Sequence, residues 1–472
     1  MIDEHVDELL PARIIDVGQN DQGSNPRLLE AAGMRVPYVA LSHCWGDRSK
    51  PPLQTKRATL ETFKQAIPWQ ELPKTFQEAM TVTRALGLRF LWIDSLCIIQ
   101  DDISDWKREA EKMGAVYEQA QLTIAASHAK NSHDGLFLAR PPRFVPLELP
   151  YRDQDGRAAG TFMVSEYFTD FEAMSPENGM LNTRAWATQE WLLSRRMVFY
   201  TAHSIMWSCK TATQRETGER CRNTARNAKW KIVIEHYSAR QLSQPGDKLI
   251  ALEGLKNTLA RKLGDEYVLG VWRQSLPDQL LWRVRTSRAT RVNTLQLPTW
   301  SWASTEVAVR FLDIKKAKNN CAGFIFQDQS LIVMSRLKQI GSFVDLATLD
   351  DSGSLNSSEL NPDWPDSMNP TTLDIPANLV VLLNDDSGNL LGWAVTDEPE
   401  LPQLPLFCLL LMGKTTRGTR QRHVRATEIS EDWVLILQER GSQLGSFVRV
   451  GAGKVYSTSW WDETPIRKVR IV

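Results

Sequence analysis

Three short stretches carry the side chains best suited to chemistry. Ser42-His43-Cys44-Trp45-Gly46-Asp47 sets a hydroxyl, an imidazole and a thiol in succession before a turn at glycine. Such a trio supports ligand contact, or acid–base or nucleophilic work by His43 or Cys44. The alternative is that Cys44 and Trp45 belong to the core and His43 hydrogen-bonds the loop. WIDSLCIIQDD (92–102) brings Asp94, Cys97 and Gln100. Asp94 is either a functional carboxylate or a cap for loop N–H groups, and Gln100 is a candidate substrate contact. Asp101 and Asp102 suit the positive N-terminal end of the following helix. A magnesium site would use these carboxylates, but neither GxxxxGK[ST] nor a Gly-rich phosphate loop is present. Glu109 is the third candidate. It lies three residues after Trp106 and four before Met113, at the border of an apolar stripe. A carboxylate at such a border is partly desolvated and suits acid–base or cation-stabilising work; the alternative is a surface ion pair with Lys107 or Lys112. Cys97 and His43 would make a nucleophile–base pair if they met across adjacent strand ends. The alternative there is an inert buried cysteine.

The elements that must hold these residues follow from periodicity. VPYVALS (36–42), LRFLWI (88–93) and LTIAAS (122–127) are apolar runs of strand length. Between them, 71–87 and 105–120 repeat apolar residues at helical spacing, the first opened by Pro73 and closed by Gly87. Strand, helix, strand, helix, strand predicts a parallel α/β sheet. Ligands in such sheets bind outside the carboxyl ends of the strands. Those ends are Ser42–Gly46, Asp94–Asp102 and Ser127–His133. LNTRAWATQEWLLSRR (181–196) reads as a helix carrying Arg184, Trp186, Gln189 and Glu190 as supporting residues.

At 472 residues the chain is long enough for two or three domains of about 150 residues. Residues 1–35 read as an N-terminal arm with one short strand at ARIIDV, 36–210 as the α/β domain, 211–305 as a helical extension and 306–472 as a β-rich C-terminal domain. The extension is read as helices over KWKIVIEHYSARQLS, DKLIALEGLKNTLARKLG and EYVLGVWRQSLPDQLLWRV, with LPTWSWAS (297–304) as a compact aromatic turn. The stretch 350–370 reads as a long exposed loop.

Fifty-six basic residues balance 56 acidic ones, which argues against a nucleic-acid-binding surface. The longest apolar runs, such as LPLFCLLLM (404–412), fall short of a membrane span. The acidic N-terminus lacks a secretory pattern, so a cytoplasmic protein is expected. Six cysteines without a CxxC pair suit free thiols in a reducing compartment. His128 and His133, and His203 before Cys209, lack partners at zinc-site spacing, so no metal and no bound cofactor are expected.

YVALSHCWGD (38–47), the run 72–102, DWKREAEKMGAVYEQAQLTIAAS (105–127), GLFLAR (135–140), LNTRAWATQEWLLSRRMVFY (181–200) and WSC (207–209) together resemble the fungal heterokaryon-incompatibility (HET) domain. The resemblance continues through the extension to about residue 305. It implies nonself recognition between fungal individuals and the cell death that follows. The HET family is in turn distantly similar to TIR domains, some of which cleave NAD. That similarity implies a TIR-like sheet. It also implies a catalytic role for Glu109, since Trp106-Lys107-Arg108-Glu109 looks like the TIR Trp-x-x-Glu element.

Cleavage of a nicotinamide–ribose bond builds positive charge on the ribose. Glu109 would stabilise it, Asp94, Ser42 and His43 would hold the sugar, and Trp45 would stack on a ring. NAD would thus be a substrate. Two other functions compete. One is an enzyme acting on a small metabolite through His43, Asp94 and Cys97 or Cys44. The other is a non-catalytic protein that self-associates or binds a protein partner.

Overall fold

The run YVALS is apolar without alternation, the pattern of a strand covered on both faces, and every one of its residues is buried. Around it the computed structural model describes residues 11–18, 25–31, 34–47, 49–138, 147–164, 178–202, 204–216, 218, 220–221, 229–285, 295–314, 319–320, 322–346, 380–398, 401–417, 428–441, 445–456 and 459–472. Two compact units emerge. One comprises residues 1–227 with 250–257, the other 228–249 with 258–472.

The strands of the first unit are β1 (Arg13–Asp16), β2 (Arg27–Glu30), β3 (Tyr38–Ser42), β4 (Phe90–Trp92), β5 (Leu122–Ala125), β6 (Leu147–Arg152), β7 (Ala158–Val164), β8 (Arg196–Tyr200), β9 (Ile205–Cys209), β10 (Thr213–Arg215) and β11 (Arg220–Cys221). Its helices are α1 (Leu60–Gln65), α2 (Lys74–Ala85), α3 (Asp94–Cys97), α4 (Ile103–Gln119) and α5 (Ala187–Leu193). Nine strands form one sheet in the order β11-β10-β9-β8-β5-β3-β4-β1-β2. Its centre is parallel: β3 pairs with β4 on one side and β5 on the other, and β5 pairs with β8. Antiparallel strands flank this centre, so the sheet is mixed. β1 joins β4 antiparallel, placing residues 13–16 inside the sheet.

Local chemistry explains the helices. α2 buries Phe76, Ala79, Met80 and Thr83, spaced three and four apart, and Gly87 follows with φ +71°, a conformation glycine adopts freely. α4 starts where the Asp102 side chain accepts the N–H groups of Ser104 and Asp105. Its inner face holds Asp105, Glu109, Ala110, Met113, Val116 and Tyr117. The helix expected over 181–196 is shorter: a 3-10 turn at Met180–Thr183 precedes α5.

The second unit adds α6 (Trp230–Ser238); α7 (Glu253–Leu263) starts within the first unit's 250–257. The helix expected over 266–284 does not form. β12 (Tyr267–Val268) turns through Leu269 (φ 44°) and Gly270 (φ 109°) into β13 (Val271–Trp272). Pro277 lies in the run to β14 (Trp282–Val284), which pairs with β15 (Val309–Phe311). Trp300 and Trp302 of the aromatic turn are fully buried.

The remaining strands are β16 (Asn319–Asn320), β17 (Gly323–Gln327), β18 (Ser330–Gln339), β19 (Ser342–Asp345), β20 (Val380–Asn384), β21 (Leu390–Thr396), β22 (Leu406–Arg417), β23 (Glu428–Glu439), β24 (Ser446–Val455) and β25 (Ile466–Ile471). Pairing runs from β22 through β18, β25, β24 and β23 back to β22, so five strands close a ring. The stretch 350–370, expected as a loop, lies outside the described residues.

Candidate functional site

The chain leaves β3 toward β4 on one side and returns to β5 on the other. In an open α/β sheet, the ends of strands at such a reversal form the ligand crevice. Ser42 is the last residue of β3, and His43 to Gly46 run on from it. Asp94 opens α3 two residues past β4. Ser127, just beyond β5, accepts the N–H of Leu181 through its carbonyl at 3.1 Å, which brings the segment carrying Arg184 and α5 alongside.

Seven of the candidates meet here, Ser42, His43, Trp45, Asp94, Gln100, Arg184 and Glu190. Ser42 Oγ donates to Glu190 of α5. Arg184 donates to the His43 carbonyl. His43 Nδ1 lies 3.9 Å from Asp94 Oδ1, and its ring stands edge-on to Phe76 with centroids 5.0 Å apart. Neither ring nitrogen has a hydrogen-bond partner among the described residues. Trp45 Nε1 donates to Asp94 Oδ2 at 2.8 Å, and the Ser95 N–H donates to Oδ1 at 2.7 Å. Gln100 supports the same loop, donating from Nε2 to the carbonyls of Asp94 and Ile98. Gly46 (φ +89°) is required: a Cβ there would strike Asn131.

Burial sets the electrostatics. Ser42, His43 and Glu190 are each 1% exposed, whereas the Asp94 side chain keeps 12%. Asp94 is therefore the less buried of the two carboxylates in the cluster. Desolvation pushes the His43 pKa down to about 4, against the opposing pull of Asp94, so the imidazole is neutral at neutral pH. Burial penalises the Arg184 cation, but Glu190 and Asp94 outweigh that cost and raise its pKa. Burial raises the Cys44 thiol to about 11 and the Cys97 thiol to about 12, so neither is a thiolate at neutral pH. Cys97 makes no hydrogen bond to His43, whose nitrogens are unbonded.

Glu109 is buried, and its partners lie elsewhere. Oε2 accepts the Ala12 N–H at 2.9 Å, and Oε1 faces Lys112 at 3.3 Å and Arg108 at 3.6 Å. None of these contacts reaches His43 or Asp94. Beside it, Arg13 makes a buried ion pair with Asp105 and donates from Nε to the Cys97 carbonyl at 2.9 Å. Trp106 of the same motif stands edge-on to Trp186 at 6.4 Å. Gln189 Oε1 accepts the Gly254 N–H at 3.2 Å.

Sequence reasoning missed three residues of this centre. Tyr117 sends its hydroxyl to the Leu41 carbonyl at 3.1 Å and faces Glu190. Ser95 is fully buried, with no hydrogen-bond partner for its Oγ among the described residues, and Phe76 stands edge-on to His43. Tyr117 and Phe76 sit on apolar helical stripes, whose periodicity signals burial and not which neighbour is met. Among the described residues, no group of three or more His, Cys, Asp or Glu side chains could hold a metal ion.

The first unit is a mixed α/β sheet with a buried polar cluster at the reversal of its parallel centre. Residues 38–190 match the family model described as Heterokaryon incompatibility protein (HET), so the first unit carries a HET domain. The match lies within the first unit. No curated protein and no solved structure matches the chain. No helix among the described residues is long and apolar enough to cross a membrane.

Proposed function

We propose that the HET unit is an effector of fungal nonself recognition and cell death, acting in the cytoplasm by cleaving the N-glycosidic bond of NAD or a related nucleotide. One observation carries this reading: the Asp94 carboxylate, which keeps 12% exposure, lies 3.9 Å from a buried His43 whose ring nitrogens have no hydrogen-bond partner among the described residues. As the C1′–N bond breaks, its electron pair goes to the nicotinamide nitrogen, which leaves neutral, and the ribose becomes cationic. Asp94 stabilises that cation. Water adds at C1′ and releases its proton to solvent or to a carboxylate. His43 and Ser42 hold ribose hydroxyls, and Trp45 faces the ring. Glu109 touches the sugar only if it gives up Ala12, Lys112 and Arg108, so Asp94 takes the leading role here and Glu109 the second.

The raised thiol pKa values weigh against a cysteine nucleophile. The burial of Ser42, His43 and Glu190 favours the remaining reading, a non-catalytic interaction protein in which this cluster holds the fold. Nicotinamide release from NAD decides between them. Asp94→Asn is expected to lower release by about 100-fold, the effect of removing one preorganised charge-stabilising group. Concentrated wild-type protein that releases none, alone or self-associated, refutes the enzymatic reading.

A further inference from the structure

The hairpin β6–β7 stands apart from the nine-stranded sheet and pairs with no other strand among the described residues. Its tight connection is local: Asp153 and Arg157 are bridged by a backbone hydrogen bond of 3.0 Å, with Gly156 at φ +77°. No residue of β6 is buried. Leu149 pairs with Phe162 and Tyr151 with Gly160, so one face carries Leu147 (61% exposed), Tyr151 (53%) and Phe162 (47%). A two-stranded ribbon is marginal in water, and three or more strands with an apolar face are needed for stability.

The two outer edges differ. On β6, Pro150 lacks an N–H, a device that blunts an edge against further pairing. On β7, the sequence AAGTFMV has no proline and no charge, so its unpaired backbone groups are open to a strand. Proline belongs where its missing N–H faces outward. Pro150 pairs with Thr161, so Thr161 and, two residues on, Met163 direct their own backbone groups to the free edge.

We propose that β7 is a dimerisation edge that takes the β7 strand of a second copy of this chain, antiparallel about Phe162. Thr161 of each copy then exchanges hydrogen bonds with Met163 of the other. Phe162 meets its own counterpart as a close cross-strand pair on the apolar face. The uncharged strand meets no like-charge repulsion in pairing with itself. The result is a four-stranded sheet with Pro150 on both outer edges, so growth stops at two. This goes beyond the catalytic reading and does not depend on it.

Sedimentation of the full chain across a range of concentrations tests the proposal. Wild type is expected to dimerise reversibly. Phe162→Lys, which sets two charges at the centre, and Thr161→Pro, which removes an edge donor, are each expected to weaken the dimer by about tenfold or more. Unfolding temperatures at the lowest concentration, where all three proteins are monomeric, should agree, because the altered positions lie outside the core. A wild-type monomer at every concentration would leave the edge to a strand from some other protein and overturn the proposal. A dimer of undiminished strength in both variants would place the interface elsewhere and overturn it equally.

Discussion

Acid should loosen the first unit through His43. The unfolded chain takes up this proton near 6.5, whereas desolvation in the folded unit delays it to about 4. Below 6.5 the unfolded state therefore binds more protons, and stability falls as pH drops, until the loss is complete near 4. Above 6.5 the contribution is flat. Each tenfold step in acidity between these values weighs about 1.4 kcal/mol, so the full loss is about 3 kcal/mol. Native-state hydrogen exchange of the β3 amides reads this directly. The comparison is with His43→Phe, which keeps a ring against Phe76 and has nothing to titrate. Asp16 and Asp105, whose pKa values are held down by Arg89 and, against burial, by Arg13 respectively, lose stability in acid in both proteins. The difference between the two proteins isolates His43. The histidine Cε1–H resonance absent from the variant should titrate near 4. A midpoint at or above 6.5, or a stability difference that does not change between pH 6.5 and 4, would show that Asp94 at 3.9 Å outweighs desolvation, and the reasoning would fail.

Other perturbations act at separate places. Burial lowers the Lys248 pKa from 10.5 to about 8, so the second unit should gain about 3 kcal/mol as pH rises from 8 to 10.5, and Lys248→Met should abolish that slope in denaturant titrations. Gly254→Val should destabilise the first unit by about 1–3 kcal/mol in the same assay, because a Cβ there would come within 2.5 Å of the Gly114 Cα. Hydrogen bonding at Thr211 lowers the half-exposed Cys209 thiol to about 7, so among Cys44, Cys97, Cys209 and Cys408 it should be alkylated first, as peptide mapping would show.

The parallel centre of the sheet was legible because each of its strands is a short apolar run and each linking helix has a clean stripe. Tyr38–Ser42, Lys74–Ala85 and Ile103–Gln119 are local patterns whose burial needs no knowledge of the partner. The residues 266–284 misled because their apolar spacing suits a helix while Leu269, Gly270 and Pro277 decide the backbone. The meeting of Ser42, His43 and Asp94 followed from the rule for strand ends. The partners of Glu190 and Arg184 were not legible, since 148 and 141 residues separate these side chains from Ser42 and His43. Glu109 was correctly placed at a buried border, but periodicity carries no sign of the Ala12 N–H that engages it.

The contact between Gly114 and Gly254 has a temporal side. Ala251 and Leu252 are wholly buried, and 250–257 belongs to the first unit, while 228–249 before it belongs to the second. A ribosome must therefore translate past α6 before the last piece of the HET-bearing unit is available. Until then α4 lacks a neighbour at Gly114 and Gln189 lacks its amide. The nascent chain would hold an unfinished unit while the first helix of the next emerges, so synthesis itself ties the maturation of one unit to the start of the other.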